Sequence, residues 1–404
     1  MGKTTQEPAD VLDPAQRADL ATKQILRRLL ATIEANVEGA RQNRDSEFLH
    51  DLRVATRRTR SALSQIKGVL PDSRVADFKA RFAWLQQVTG PVRDLDVYLL
   101  DFPNMRQQLP AALQPDLEPL YQLLLAQHAE AQQQLAMELG SPRFKQLLED
   151  WRAFLDAPIA ASAAAGTGAA ADADAGAGAG VEPSAAPPVG LGAVGADSSV
   201  ANAKQAAREI AGVANAKQDS SAAASAEATA SAEATPTAAA LPIKQLADRR
   251  IRKLLKRVRA EGRAINEDSP PEDLHELRKS CKKLRYLMEF FQSLYEKERI
   301  REQIKQTKRL LDNLGRFQDT AVQARHLRET AECEGGEGRL PPATLLAMGA
   351  LIGQLLEDQA RARDGFSEVF AGFDSAENAA RFAALFDARD IAQCRPRRQQ
   401  ARKR

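Results

Sequence analysis

The stretch "HDLRVATRRTR" (His50–Arg60) returns as "HELRKSCKKLR" (His275–Arg285), 225 residues later. The same shift carries Ile25 to Val97 onto the later segment without a gap. "LRRLL" at Leu26 meets "IRKLL" at Ile251, and "TGPVRD" at Thr89 meets "LGRFQD" at Leu314. In both copies 40 residues separate the histidine from a glycine and 44 separate it from an aspartate. A constant offset demands matching helix and loop lengths, so the chain must hold two similar units.

The period inside each unit is helical. Leu, Ala, Gln, Glu, Lys and Arg dominate, apolar residues recur at three and four, and the alternation expected of strands is missing. Ser141-Pro142 reads as an N-cap followed by proline at the first helical position. Pro71-Asp72-Ser73, Gly90-Pro91 and Ser269-Pro270-Pro271 mark further helix boundaries. Gly90 and Gly315 read as C-caps of the third helix, with Asp94 and Asp319 capping the next helix or holding nearby arginines. The predicted fold is all-α, two pseudo-twofold-related four-helix bundles. Five segments are expected: a disordered N-terminus (1–16), a first bundle (17–156), an Ala/Gly/Ser-rich disordered linker (157–240), a second bundle (241–392) and a basic C-terminal tail (393–404). The linker is too poor in large apolar residues to offset its ordering entropy.

On a helix with 100° per residue, Arg53, Arg57 and Arg60 fall within about 80° of His50. Leu52, Ala55, Ala62, Leu63 and Ile66 take the opposite face. The second copy sets His275, Arg278, Lys282 and Arg285 against Leu277, Leu284, Leu287, Met288 and Phe291. Arg58, Lys279 and Lys283 widen the basic side. A solvated helix face ordinarily mixes charge signs, but here Arg53/Arg57 and Arg278/Lys282 are like charges four apart, which destabilises an isolated helix. Glu289, four residues after Arg285, is nearly the only acidic relief. An external anion is the expected counter-charge. Further basic residues lie on the preceding helices (Arg27 and Arg28; Arg252, Lys253 and Lys256) and near the third helix of each half (Lys79 and Arg81; Lys305, Lys308 and Arg309). Stripes facing each other about a pseudo-twofold axis would join into one groove, suited to a linear polyanion.

Other chemistry finds little support. The histidines have no nucleophile beside them in both copies, since Thr56 corresponds to Cys281. A lone helix histidine is more often packed or hydrogen-bonded; beside arginines, phosphate contact is the alternative. His128 and His326 read as structural. Asp96 has Ala321 as its counterpart, so no paired carboxylates repeat. Cys281, Cys333 and Cys394 lack metal-ligand spacing. "GKT" at Gly2 lacks the rest of a phosphate-binding loop. There is no secretory h-region and no stretch of membrane-spanning length. No catalytic residue, cofactor, metal or membrane partner is expected.

"HDLRVATRRTR", "HELRKSCKKLR", "TGPVRDLDV" and "LGRFQDTAV", in this order, resemble the CHAD domain (conserved histidine α-helical domain). The resemblance covers nearly everything but the linker and the chain ends. It implies two four-helix bundles that bind inorganic polyphosphate in a central basic groove, and association with polyphosphate granules in the bacterial cytoplasm. By position it assigns the conserved histidines to His50 and His275. The basic groove residues become Arg53, Arg57, Arg60, Arg278, Lys282 and Arg285, with Arg27, Arg28, Arg252 and Lys253 on the first helices. The ExExK motif of the CYTH domain that often accompanies CHAD is absent, so a stand-alone, non-catalytic member is expected. A nucleic-acid-binding helical protein is the alternative.

Overall fold

The computed structural model describes residues 11–158 and 238–386. Most of the expected linker, the first ten residues and the basic tail lie outside the described residues, as does Cys394. Helices α1 (Ala18–Arg41), α2 (Ser46–Gln65), α3 (Asp72–Val88), α4 (Gly90–Gln108), α5 (Glu118–Gly140) and α6 (Pro142–Asp156) make the first half. The second comprises α7 (Ile243–Ala264), α8 (Pro271–Phe290), α9 (Lys297–Gly336), α10 (Pro342–Asp364), α11 (Phe366–Phe373) and α12 (Ala376–Phe386). Among the described residues there is no strand. The repeat holds in the structure as well as in the sequence: α2 and α8 share identical bounds at the 225-residue offset.

Local chemistry sets several helix starts. The Asp45 carboxylate accepts from the backbone N–H of Glu47, and Ser141 Oγ accepts from that of Phe144, each supplying an acceptor to a helix N-terminus. Glu296 does the same twice at the start of α9. The halves differ where α3 gives way to α4 at Thr89 while α9 runs through the matching point unbroken for 40 residues. Pro91 explains the interruption, since its ring displaces the preceding carbonyl and it has no N–H. Its counterpart is Arg316, which lets α9 continue. The C-cap reading of Gly90 and Gly315 is therefore corrected: Gly90 opens α4, Gly315 lies inside α9, and neither has the positive φ of a left-handed cap. Asp94 and Asp319 are likewise interior helix residues, not caps.

One hydrophobic core serves both halves. Leu26, Leu52, Phe82 and Trp151 of α1, α2, α3 and α6 belong to the same buried cluster as Ile251, Leu284, Leu314 and Phe382 of α7, α8, α9 and α12. These two sets of four are the paired bundles. A second cluster joins Phe102 and Leu120 of α4 and α5 to Leu327 and Leu351 of α9 and α10, so it too draws on both halves.

The pairing is isologous, with equivalent residues meeting each other. Arg17 forms an isolated antiparallel bridge with its own counterpart, Pro242. Around it, Ala18 N–H donates to Leu241 O at 2.8 Å and Ile243 N–H to Gln16 O at 2.9 Å, two bonds exchanged by the 225-residue shift. Asp19 N–H to Ala239 O and Lys244 N–H to Pro14 O form a second such pair. Farther on, Tyr98 Oη donates to the carbonyl of Gln323, again its counterpart. These contacts also correct the expected limits of order: Leu12 and Ala239 are buried in the fold, not part of disordered segments.

Close packing leaves no room for a side chain at Gly262. A Cβ on Gly262 of α7 would lie 2.0 Å from the ring of Phe370, whereas nothing lies within 4 Å of a Cβ on Gly349 of α10. Gly262→Ala is expected to destabilise by about 1–3 kcal/mol as the ring is driven from its seat. Gly349→Ala should stabilise by about 0.5–1 kcal/mol through helix propensity alone. Paired denaturant titrations check both signs.

Candidate functional site

The two stripe helices fold as their periodicity predicts. Leu52, Ala55, Ala62, Leu63 and Ile66 are buried, as are Leu277, Leu284, Leu287, Met288 and Phe291. Burying these faces turns the basic faces toward a common region, because α2 packs on α8.

In the second half Arg278, Lys282 and Arg285 of α8 line a cleft of about 260 Å³ with Leu311, Asp312, Gly315, Arg316 and Asp319 of α9. Arg278 Nη2 donates to Asp319 Oδ1 at 3.0 Å, so the aspartate orients the guanidinium. Its Nε is buried without a protein acceptor among the described residues. In the first half Arg53 Nη1 donates instead to the Gln86 carbonyl (3.0 Å) and Thr89 Oγ1 (2.9 Å). Burial lowers the Arg53 pKa, with Asp94 opposing; a guanidinium remains charged regardless. The motif glycines flank these arginines. A Cβ at Gly90 would sit 3.8 Å from Arg53 Nη1, and one at Gly315 3.7 Å from Arg278 Nη2. Alanine would fit in either place, but a larger side chain would push against the guanidinium.

The histidines differ. His275 is exposed, and its Nδ1 lies 3.0 Å from Gln318 Oε1, which leaves Nε2 as its outward nitrogen. His50 is half-buried, and Arg93 stands in the sequence position matching Gln318. Burial first, then the Arg93 charge, holds the His50 imidazole below the ordinary histidine pKa, against the pull of Glu47 and Asp51. His50 is therefore neutral at pH 7 without an anion. Arg93 Nη1 lies 3.9 Å from the buried Asp96 carboxylate, whose other oxygen is 2.8 Å from His128 Nε2. His128 is thus tied to the Asp96 carboxylate. His326 packs against the Tyr98 ring at a tilt of 44°, with ring centroids 4.7 Å apart.

Where the halves meet, Arg57 and its counterpart Lys282 act on each other electrostatically. Burial, then Arg278 and Arg57, lower the Lys282 pKa from 10.5 to about 8, with Asp319 opposing. The site is built at electrostatic cost, with too many cations for its internal anions. Arg58 and Arg285 are partly compensated, both reaching the Glu289 carboxylate.

The remaining residues named from sequence spread outward. Arg27 is bound to Asp156 at 3.0 Å and to the Leu155 carbonyl, at the end of α6 rather than in the cleft. Arg28 is half-buried, while Lys253 and Lys256 are exposed. Arg252 Nε reaches the carbonyl of Asp248. Lys279 is held by Glu276 at 2.6 Å. Lys308 is one helical turn before the cleft residue Asp312, and Arg309 adjoins it, donating to Gln306. Arg60 and Lys283 are half-buried. Superimposing the two sequence copies missed Arg93 and Arg316. Each lies within a quoted motif, but at non-equivalent positions, so the superposition conceals them. Among the described residues, no group of three or more His, Cys, Asp or Glu side chains could hold a metal. No described helix is long and apolar enough to cross a membrane.

The family model described as "CHAD domain" matches residues 24–183 and again 161–328. The crystal structure of the CHAD domain from the plant Ricinus communis superimposes with a TM-score of 0.56 at 22% identity, covering 91% of this chain and 95% of that one. PptA from Streptomyces chartreusis gives 0.53 at 14% identity, covering 88% and 99%. Both likenesses concern the fold. No curated protein matches the chain significantly.

Because the folded cleft holds Lys282 at a depressed pKa, its charge destabilises the anion-free fold below pH 8. That cost disappears as pH rises through 8 toward 10.5, where lysine is neutral in both folded and unfolded chains. Lys282→Met should therefore raise Tm at pH 7 by about 2–4 °C, and the gain should shrink between pH 8 and 10.5. Thermal melts at several pH values, without added anions, test this.

Proposed function

The chain belongs to the CHAD-domain family, and from this premise we propose that it binds inorganic polyphosphate, without turning it over, along the cleft formed by α2, α8, α9 and the start of α4. The observation that carries the reading is the placement of two mutually repelling cations where the halves meet, Arg57 against Lys282. Arg53 and Arg278 flank them, with His50 and His275 farther out. A linear polyphosphate has no direction: its two ends are chemically the same. A chain centred on the axis offers the same phosphoryl oxygens to both halves. Arginine forks bind such oxygens in pairs, and lysine acts as a point charge. Polyphosphate-granule association follows as part of this proposal.

Nucleic acid is the second reading, since helical arginines also suit its phosphates. Its strands are directional, and recognition of single strands relies on aromatic stacking. The residues lining the second-half cleft include no aromatic ring. Long-chain polyphosphate should therefore displace a bound fluorescent polyphosphate far better than RNA or DNA of equal charge. Equal competition would favour the nucleic-acid reading. Arg57→Ala combined with Lys282→Ala should weaken binding by at least tenfold, on the order expected when two charge-assisted hydrogen bonds are removed, while circular dichroism stays unchanged. Full retention of affinity would overturn the polyphosphate assignment.

Proton linkage gives an independent check. A bound polyanion restores the charge on Lys282, so binding takes up a proton when pH exceeds the anion-free value of about 8. Affinity should fall as pH rises from 7 to 9.5, and Lys282→Arg should flatten that fall. Calorimetry in buffers of different ionisation enthalpy reads the uptake directly.

A further inference from the structure

The α8 stripe continues one step beyond its cations. Positions 278, 282, 285 and 289 follow one helix face, and the last is Glu289. Its carboxylate reaches across the axis. One oxygen accepts from Arg58 of α2, and the other lies 3.2 Å from Arg285 Nε. A half-buried anion thus bridges two arginines, one from each half. The 225-residue shift maps this trio onto a second one made of non-identical residues. Arg285 corresponds to Arg60, Arg58 to Lys283 and Glu289 to Ser64. Both cations are retained, but the carboxylate is replaced by a short hydroxyl, which donates to the Arg60 carbonyl at 2.8 Å. Among the described residues neither Arg60 nor Lys283 forms a salt bridge. Glu276 feels the Lys283 charge but is itself bonded to Lys279.

We infer that Arg60, Lys283 and Ser64 form a phosphoryl-binding subsite, whose symmetric counterpart is filled by the chain's own Glu289 carboxylate. Glu289 is then an internal stand-in for a phosphoryl group, and it marks where an anion sits between the two cations. The inference rests on the polyphosphate reading for the identity of the polymer, but the subsite itself requires only an oxyanion. Its consequence is asymmetry: of two equivalent positions beside the axis, one is open to the polymer and the other is closed. A bound chain can place a phosphoryl group between the cations on the Arg60 side, whereas Glu289 already occupies that place on the Arg285 side.

The test uses the full-length protein and two reciprocal variants, Ser64→Glu and Glu289→Gln. Ser64→Glu recreates on α2 the i,i+4 pair found at Arg285 and Glu289, filling the open position. Glu289→Gln opens the filled one. Each protein is titrated with long-chain polyphosphate and, separately, with pyrophosphate while the Lys283 side chain is followed by NMR. Ser64→Glu should weaken polyphosphate binding about tenfold at low salt, the size expected when one charge-assisted hydrogen bond is removed, and abolish the pyrophosphate-induced shift at Lys283. Glu289→Gln should strengthen polyphosphate binding and leave that shift intact. If wild type binds polyphosphate but neither variant changes its affinity, the subsite is overturned and the polyphosphate reading stands. If wild type fails to bind polyphosphate, that reading falls. A Lys283 shift abolished in Ser64→Glu would then still support an oxyanion subsite, and its absence in wild type would overturn it.

Discussion

Packing α2 on α8 brings Arg57 close enough to Lys282 to help push the lysine toward neutrality. Like charges at the meeting point of two helices work against association, so the attraction must come from elsewhere. It comes from the opposite faces of the same helices, where Leu52, Leu63, Leu277 and Leu284 enter a core shared by both halves. Burial of a large apolar side chain contributes about 1.5–3 kcal/mol. A handful of such residues outweighs the repulsion of several half-exposed cations. Amphipathicity here does more than separate oil from water: the core holds the cations together in the absence of a counter-ion.

The two halves solve the resulting electrostatics differently. The second half fixes Arg278 with a carboxylate and lets His275 meet an amide. The first fixes Arg53 with a carbonyl and a hydroxyl, and sets His50 against the charge of Arg93. Arg93 lies close to Asp96, which His128 holds; the second-half counterparts of Arg93 and Asp96 are Gln318 and Ala321. Duplication preserved the positions of the stripe cations, while the residues that orient them diverged.

That divergence decides what was legible in the sequence. The stripes, their buried faces and the paired helical halves follow from period and offset, because those properties survive any single replacement. The orienting partners depend on contacts between distant segments, such as Arg58 with Glu289, and carry no local signal. Arg316 escaped notice because its counterpart is a proline. That same exchange leaves one half with two helices where the other has one continuous helix. The motif glycines misled because glycine commonly ends helices; in this fold they lie beside the arginine forks instead.

The exchanged backbone bonds around Arg17 and Pro242 bear on the ancestry of the chain. They fasten the start of the second half to the start of the first, independently of whatever covalent path joins α6 to α7. The end of α6 is anchored separately, its Phe154 and Ala157 carbonyls accepting from Lys23 Nζ. Mutual recognition of this kind works equally well between two separate polypeptides, as in a homodimer of half-length subunits. Once it exists, fusion adds only a higher local concentration of one half near the other. Selection on the fold then places little constraint on the length or composition of the connecting segment, and that segment is free to take on the Ala/Gly/Ser-rich composition found there.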